Sequence, residues 1–361
     1  MKTGYIVGLS LGHNASTCLL KDGQIVFSVE EERLTRLKAD GSPMLGLLKV
    51  LEYTDKVDYV AISYPCDDRP MLEYTREHIY HGMARKLGLL AGPIDHTISH
   101  AQYLDYTDQH HLTHAACAAY NSGFDEAAVV VVDSAGSQVT IYEKDEYDKN
   151  ILAYEIESVY DFANDKFTPI YKKYGCQTSQ IIPGKRMMNG CETIVDFNAG
   201  IGKAYDAVTD YLGFSLRDCG KTMGLSSYGK PNKNIPDFFI HNAEWSCVNP
   251  ALITPAFKAS SRINVLKYPC FENISREDLA YKIQQETQEE VLKLLIKASE
   301  MSGKKNICLT GGYALNCVAN YYYKEKLNEL GINLYVEPNS SDAGTSIGSA
   351  FLAYHYTKEM K

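Results

Sequence analysis

The sequence predicts an α/β protein of two lobes, and three observations carry that expectation. A strand, turn and hairpin open the chain, a similar strand–turn–strand pattern returns near residue 127, and strands alternate with helical stretches up to the C-terminal end. At 361 residues the chain also exceeds one ordinary hydrophobic core.

Each element follows from local pattern. Tyr5-Ile6-Val7-Gly8-Leu9 is a short apolar strand, Gly12-His13-Asn14 a turn, and Ser16 to Leu20 a second strand; Asp22-Gly23 then turns the chain into Gln24 to Val29. Residues 57–63 form another strand. After a polar, tyrosine-rich interval, helix formers run from Gln109 through Ala119. Ala127 to Val132 is a continuous apolar strand ending at Asp133, with Gln138 to Glu143 expected as its partner. Two unrelated hairpins would give the same local signal, but the recurrence suggests a duplicated lobe of the actin-like kind, whose two turns face a cleft and present N–H groups to phosphates. Further on, Ser275 caps a helix reaching about Ala298, Asn306 to Thr310 is a buried strand ending in Gly311-Gly312, and an Ala- and Gly-rich helix spans Ser346 to Tyr354. The expected division is 1–124 and 125–361, with the last helix packing back toward the first lobe.

Composition narrows the function classes. No apolar run reaches the ~18 residues of a membrane span, and His13 and Asn14 interrupt the N-terminal apolar stretch before any signal-like cleavage site, so a cytoplasmic protein is expected. Ten cysteines without a CxxC pair fit reduced, buried thiols rather than disulfides or a zinc knuckle. A net charge of -9 argues against broad nucleic-acid binding but leaves room for a single nucleotide.

The chemistry-bearing residues fall in three places. His110 and His114, spaced i, i+4, share one helical face and supply two imidazoles to a metal; capping or packing would be the alternative role. Asp342, in Ser341-Asp342-Ala343-Gly344, is a candidate third ligand or simply a helix N-cap. Gly311-Gly312, between a strand and a helix, permits close backbone approach to an anionic ligand, and Asn316 and Asn320 add a polar stripe to the helix beyond.

Together, GLSLGHNAS, DGQIVFSVEEERLTRLK, HHLTHAACAAY, VVVVDSAG, GKAYDAVTDYLGF, GKTMGLSSYGKP, LTGGYALNCVAN and PNSSDAGTSIGSA resemble the O-carbamoyltransferase family. That family includes nodulation-factor, cephamycin and tobramycin carbamoyltransferases, and the likeness is colinear from about Ile6 to Tyr354. The same lobe pair is shared with the protein that makes threonylcarbamoyladenosine on transfer RNA, although GHNAS and EEERLTR resemble the former branch.

The resemblance implies an actin-like (ASKHA) two-lobed α/β fold built from two RNase H-like subdomains, a mononuclear Fe(II) or Zn(II) site, and an adenylate in the cleft. It implies His110, His114 and Asp342 as metal ligands, and Gly311, Gly312 and Asn316, with Gly224, as nucleotide contacts. Lys221 lies in the GKxMGL segment near the nucleotide, where it would neutralise phosphate or remain a solvated loop residue. His13 and Asn14 lie in the first phosphate-facing turn; many members carry Asp at the position of Asn14, which leaves acid–base work there open. Asp133 would orient acceptor, water or a second cation such as Mg, or cap its turn.

The implied reaction is transfer of a carbamoyl group from carbamoyl-adenylate, itself derived from carbamoyl phosphate and ATP, to a hydroxyl of a small-molecule or nucleoside acceptor. Longer members continue into an adenylate-forming domain beyond the part matched here, so the resemblance implies either a separate protein that supplies the adenylate or a different donor. The contrasting readings are an actin-like ATPase or small-molecule kinase, requiring ATP turnover, and a non-catalytic nucleotide-binding subunit. Neither acceptor nor oligomeric state is legible, and Lys230 to Phe271 carries no assignable motif.

Overall fold

A computed structural model describes residues 4–64, 73–74, 77–90, 103–143, 149–176, 183–197, 200–215, 217–241, 245–254, 264–265, 271 and 273–359. The chain divides into two compact units, the first made of residues 1–123 and 337–361 and the second of residues 124–336. Part of the Lys230 to Phe271 stretch and of the tyrosine-rich interval lies outside the described residues.

The first unit is built on β1 (Tyr5–Ser10), β2 (Ser16–Lys21), β3 (Gln24–Glu30), β4 (Tyr59–Ser63) and, after a short ribbon of β5 (Glu73–Tyr74) and β6 (Glu77–His78), β7 (Tyr103–Asp105). They form one sheet in the order β3-β2-β1-β4-β7; the first three strands are antiparallel and the last two parallel to β1. Side chains alternate across it. Val7, Leu9, Leu19, Val60 and Ile62 enter one apolar layer with Leu47 and Val50 of helix α2 (Met44–Lys49), which follows α1 (Glu31–Thr35), and its 3-10 extension, and with Tyr80 and Ala84 of α3 (Ile79–Lys86). Ile6, Cys18, Leu20 and Ala61 face the other layer. There they meet the histidine helix, α4 (His110–Ser122), and the last helix, α9 (Gly344–Glu359).

Small residues set how closely α9 seats. A Cβ on Gly8 of β1 would stand 1.9 Å from the Ser346 carbonyl oxygen, and one on Gly348 only 1.8 Å from that of Thr113 in α4. Backbone therefore meets backbone on two sides of α9, which only glycine at these positions allows. The Ala- and Gly-rich composition expected for this helix is the means of its packing.

The second unit repeats the strand order. Here β8 (Glu126–Val132) is the central strand, followed by β9 (Gln138–Glu143), β10 (Lys149–Ala163), β11 (Lys166–Cys176), β12 (Gly184–Met188) and β13 (Cys191–Phe197), with β18 (Asn306–Thr310) and β19 (Asn333–Val336) arriving late. The sheet runs β12-β13-β11-β10-β8-β18-β19. Its core β11-β10-β8-β18-β19, antiparallel then parallel about β8, matches β3-β2-β1-β4-β7 of the first unit. The duplicated-lobe expectation holds at the level of topology.

One sequence expectation is corrected. Gln138 to Glu143 does not pair with Ala127 to Val132; it pairs with the first half of β10, whose second half pairs with β8. A 15-residue strand serves both partners, so the antiparallel neighbour of β8 is the next strand but one in sequence. Helices α5 (Ile201–Tyr211), α6 (Cys219–Ser226), α7 (Arg276–Ser302) and α8 (Cys317–Glu329) complete the unit, with Ala128, Val130, Ile307 and Leu309 buried against them. Ser275 caps α7 as expected, its Oγ accepting from the Asp278 N–H at 3.1 Å. Two short ribbons, β14 (Phe239–His241) with β15 (Ser246–Val248) and β16 (Ile253–Thr254) with β17 (Asn264–Val265), lie between α6 and α7. No helix among the described residues is long and apolar enough to cross a membrane, and no disulfide joins the described cysteines.

Candidate metal centre and nucleotide loop

The helical spacing of the two histidines does what the sequence pattern anticipates. His110 opens α4 and His114 follows one turn later, so both rings emerge on one face, and both are fully buried. Their Nε2 atoms are 3.1 Å apart. Asp342, in the loop leading into α9, brings Oδ1 to 3.5 Å from His110 Nε2 and 3.6 Å from His114 Nε2. Ligands held about 2.1 Å from a tetrahedral metal stand about 3.4 Å from one another, so two nitrogens and one carboxylate oxygen at these separations fit a single ion. The donor set suits iron or zinc equally.

Electrostatics point the same way. Burial by itself would raise the Asp342 carboxyl, but hydrogen bonds from His110 and His114, with a further contribution from His13, hold it well below the usual carboxylate range. A carboxylate kept ionised among imidazoles is a ligand ready for a cation.

The loop carrying Asp342 is anchored by hydroxyls that the sequence reading missed. The Asp342 carbonyl accepts from Ser10 Oγ at 3.0 Å and Thr345 Oγ1 at 2.7 Å, Ser63 Oγ lies 2.8 Å from Thr345 Oγ1, and Ser16 Oγ donates to the Ala343 carbonyl at 2.7 Å. The Ser residues sit at strand ends of β1, β2 and β4, and all four hydroxyl-bearing residues are buried. Their short polar side chains, at the ends of otherwise apolar strands, were the available signal.

His13 stands beside this cluster, with Nε2 3.5 Å from Asp342 Oδ2 and a side chain 53% exposed. Its Nδ1 lies 2.6 Å from Asn14 Oδ1. An amide oxygen there can accept from Nδ1–H, so Asn14 orients the ring as an aspartate would but brings no charge.

The remaining predicted residues belong to the second unit. Gly311 has φ of +89°, and a Cβ there would stand 2.3 Å from the Val132 carbonyl oxygen. Gly312 donates its N–H to Asp133 Oδ1 at 3.4 Å. Asp133 thus at least braces the glycine turn. The helix expected directly after the glycines is delayed by a 3-10 turn, Gly312–Leu315. Asn316 is the N-cap of α8, its Oδ1 accepting from the Ala319 N–H at 3.1 Å, and its amide exchanges hydrogen bonds with Gln284. Asn320 donates to the Ala314 carbonyl at 2.7 Å. The expected polar stripe is therefore spent on the turn's own backbone and on α7. Lys221 is 60% exposed and paired with Asp218 at 2.9 Å; a Cβ on Gly224, one turn along α6, would meet open space.

The family model described as carbamoyltransferase N-terminus matches residues 5–107 and 76–351. The chain belongs to this family. Relatives of this family member include an uncharacterized protein of Synechocystis sp., 27% identical over 97% of this chain and 57% of the relative, and the nodulation protein NolNO of Sinorhizobium fredii, 26% identical over 94% and 46% respectively. The chain spans about half the length of these curated relatives. Among solved structures, full-length HypF in its phosphate- and nucleotide-bound form superposes with a TM-score of 0.57 at 15% identity, covering 99% of this chain and 56% of HypF. A second HypF structure, from T. kodakarensis, gives 0.53 at 14% identity over 99% of this chain and 48% of that one. The fold of this carbamoyltransferase-family chain is accordingly actin-like α/β.

Proposed function

We propose that this chain transfers a carbamoyl group from carbamoyl-adenylate to a hydroxyl of a small-molecule or nucleoside acceptor. The observation that carries the reading is the convergence of His110 Nε2, His114 Nε2 and Asp342 Oδ1 at ligand spacing, in a chain of a carbamoyltransferase family. These three residues would hold the metal, which when bound supplies Lewis-acid polarisation to a carbonyl or phosphate oxygen.

The other roles fall to the chain's own groups. His13 Nε2 takes the acceptor's hydroxyl proton as the oxygen attacks the carbamoyl carbon, the carbon–oxygen bond to the phosphate breaks, and AMP leaves. Asn14 fixes the His13 tautomer through Nδ1. The Gly311-Gly312 turn lets the adenylate approach the backbone beside Asp133; that HypF has a phosphate- and nucleotide-bound form supports a nucleotide role. Lys221 is the cation available to a phosphate once released from Asp218.

The test is transfer from carbamoyl-adenylate to a panel of hydroxyl compounds, followed by mass spectrometry of the gained carbamoyl group. Product that requires added iron or zinc and disappears in Asp342→Asn supports the reading. ATP hydrolysis that requires magnesium and survives Asp342→Asn would favour an actin-like ATPase instead.

A further inference from the structure

The second unit contains a cavity that the carbamoyl-transfer reading does not use. It encloses about 360 Å³ between one face of α7, the β14–β15 hairpin and the sheet strands β10 and β11, within the range of about 300–1,000 Å³ typical of small-ligand sites. None of the sequence-assigned site residues lines it.

Its wall is unusual for a mere packing gap. Glu157 and Lys173, both buried, project from β10 and β11 and are 3.6 Å apart, and Lys173 Nζ also reaches Asp196 at 3.4 Å and the Ser246 carbonyl at 3.1 Å. The Glu157 carboxylate is buried, with Oε1 facing the Lys173 ammonium and Tyr171 hydrogen-bonded to the same group. Across the cavity, α7 contributes Glu290, Lys293 and Lys297 at i, i+3 and i+7, with Lys293 bonded to Glu290 at 2.7 Å. Trp245, the single tryptophan, supplies an aromatic wall.

We propose that this cavity binds a neutral, ring-shaped polyol, a carbohydrate-like ligand, whose hydroxyls donate to Glu157 and accept from Lys293 and Lys297. Each lysine of the wall already faces a carboxylate, Lys173 with Glu157 and Asp196, Lys293 with Glu290 and Lys297 with Glu192, which disfavours a strongly charged ligand and suits hydroxyls, since each can donate and accept. The carbon-bound hydrogens of a sugar ring would lie against Trp245. The site stands apart from the transfer reading and would bind without metal or adenylate.

Trp245 fluorescence reads the cavity directly. Myo-inositol and methyl α-glucoside serve as neutral probes, with inorganic phosphate and 1,4-diaminobutane as anionic and cationic ones. A saturable emission change with a neutral probe, weakened about tenfold in folded Glu157→Gln, is the expected result. Lys293→Met, at the half-exposed rim, is a second variant that leaves the buried pair intact and should weaken binding several-fold. No saturable change with either polyol, saturation only by phosphate or diamine, or polyol binding unaffected in folded Glu157→Gln and in Lys293→Met would overturn the proposal.

Discussion

Replacing Gly348 by Ala tests whether the seat of α9 on α4 sets the metal centre. The new Cβ would lie 1.8 Å from the Thr113 carbonyl oxygen and 3.1 Å from the Cys117 amide nitrogen, where real Cβ contacts essentially never fall under 3.0 Å. Because the obstacle is backbone, the two helices must separate by more than an ångström. Overpacking of this kind typically costs about 1–3 kcal/mol, and the contact here lies at the severe end. That corresponds to a fall in Tm of roughly 3–10 °C for a unit of this size. The same movement pulls Asp342, just ahead of α9, from His110 and His114 on α4. Metal-binding distances tolerate only about 0.2 Å, so affinity for iron or zinc should drop at least tenfold, about 1.4 kcal/mol. Differential scanning calorimetry of the metal-free protein and metal titration of the same preparation measure the two effects separately. An unchanged Tm together with full metal affinity in Gly348→Ala would refute the claim that backbone contact at this glycine positions the ligands.

Four further outcomes follow from the same geometry. His110→Ala should leave the purified protein nearly free of iron and zinc by elemental analysis, because the two remaining ligands hold an ion poorly; undiminished metal would count against the assigned set. Gly312→Val should weaken AMP binding in calorimetry by about tenfold or more while the protein remains folded, since the new side chain starts 3.1 Å from Asp133 Oδ1 and occupies the approach to the turn. Lys221→Ala should alter the Tm by less than about 0.5 kcal/mol equivalent, its ion pair being exposed, yet weaken nucleotide binding if the lysine meets phosphate. On acidification, Asp342 should stay ionised below the usual carboxylate range, because hydrogen bonds from His110 and His114 outweigh the burial that would raise its carboxyl. The Asp342 carboxyl carbon shift followed by NMR should show no protonation through about pH 4, where an ordinary carboxylate titrates; titration there would contradict the assigned hydrogen bonds.

How much of this was legible depended on distance along the chain. The His110–His114 pair could be read from helical spacing alone, and Ser275 from its position before an apolar-periodic run. Asp342 was ambiguous by itself, since an aspartate before a helix is most simply a cap, and only the family resemblance joined it to residues more than 200 positions away. The hydroxyls of Ser10, Ser16 and Ser63 that fix its loop act across 282 to 332 residues and leave no local trace beyond small polar side chains at strand ends. The partner of β8 was misread because adjacency is the usual guide to antiparallel pairing, whereas β10 is long enough to take both β8 and β9. Asn316 looked like a ligand-facing stripe because its pairing with Gln284 on α7 is a tertiary contact, invisible in a helical pattern.

The central claim is a metal centre that acts on a carbamoyl-adenylate, and the release of AMP from that compound measures it with water in place of the unknown acceptor. Protein loaded with iron or zinc should accelerate AMP release well above the solution rate, and protein stripped of metal or carrying His110→Ala should not. AMP release that is equal in loaded protein, stripped protein and His110→Ala, or absent in all three, would contradict the account.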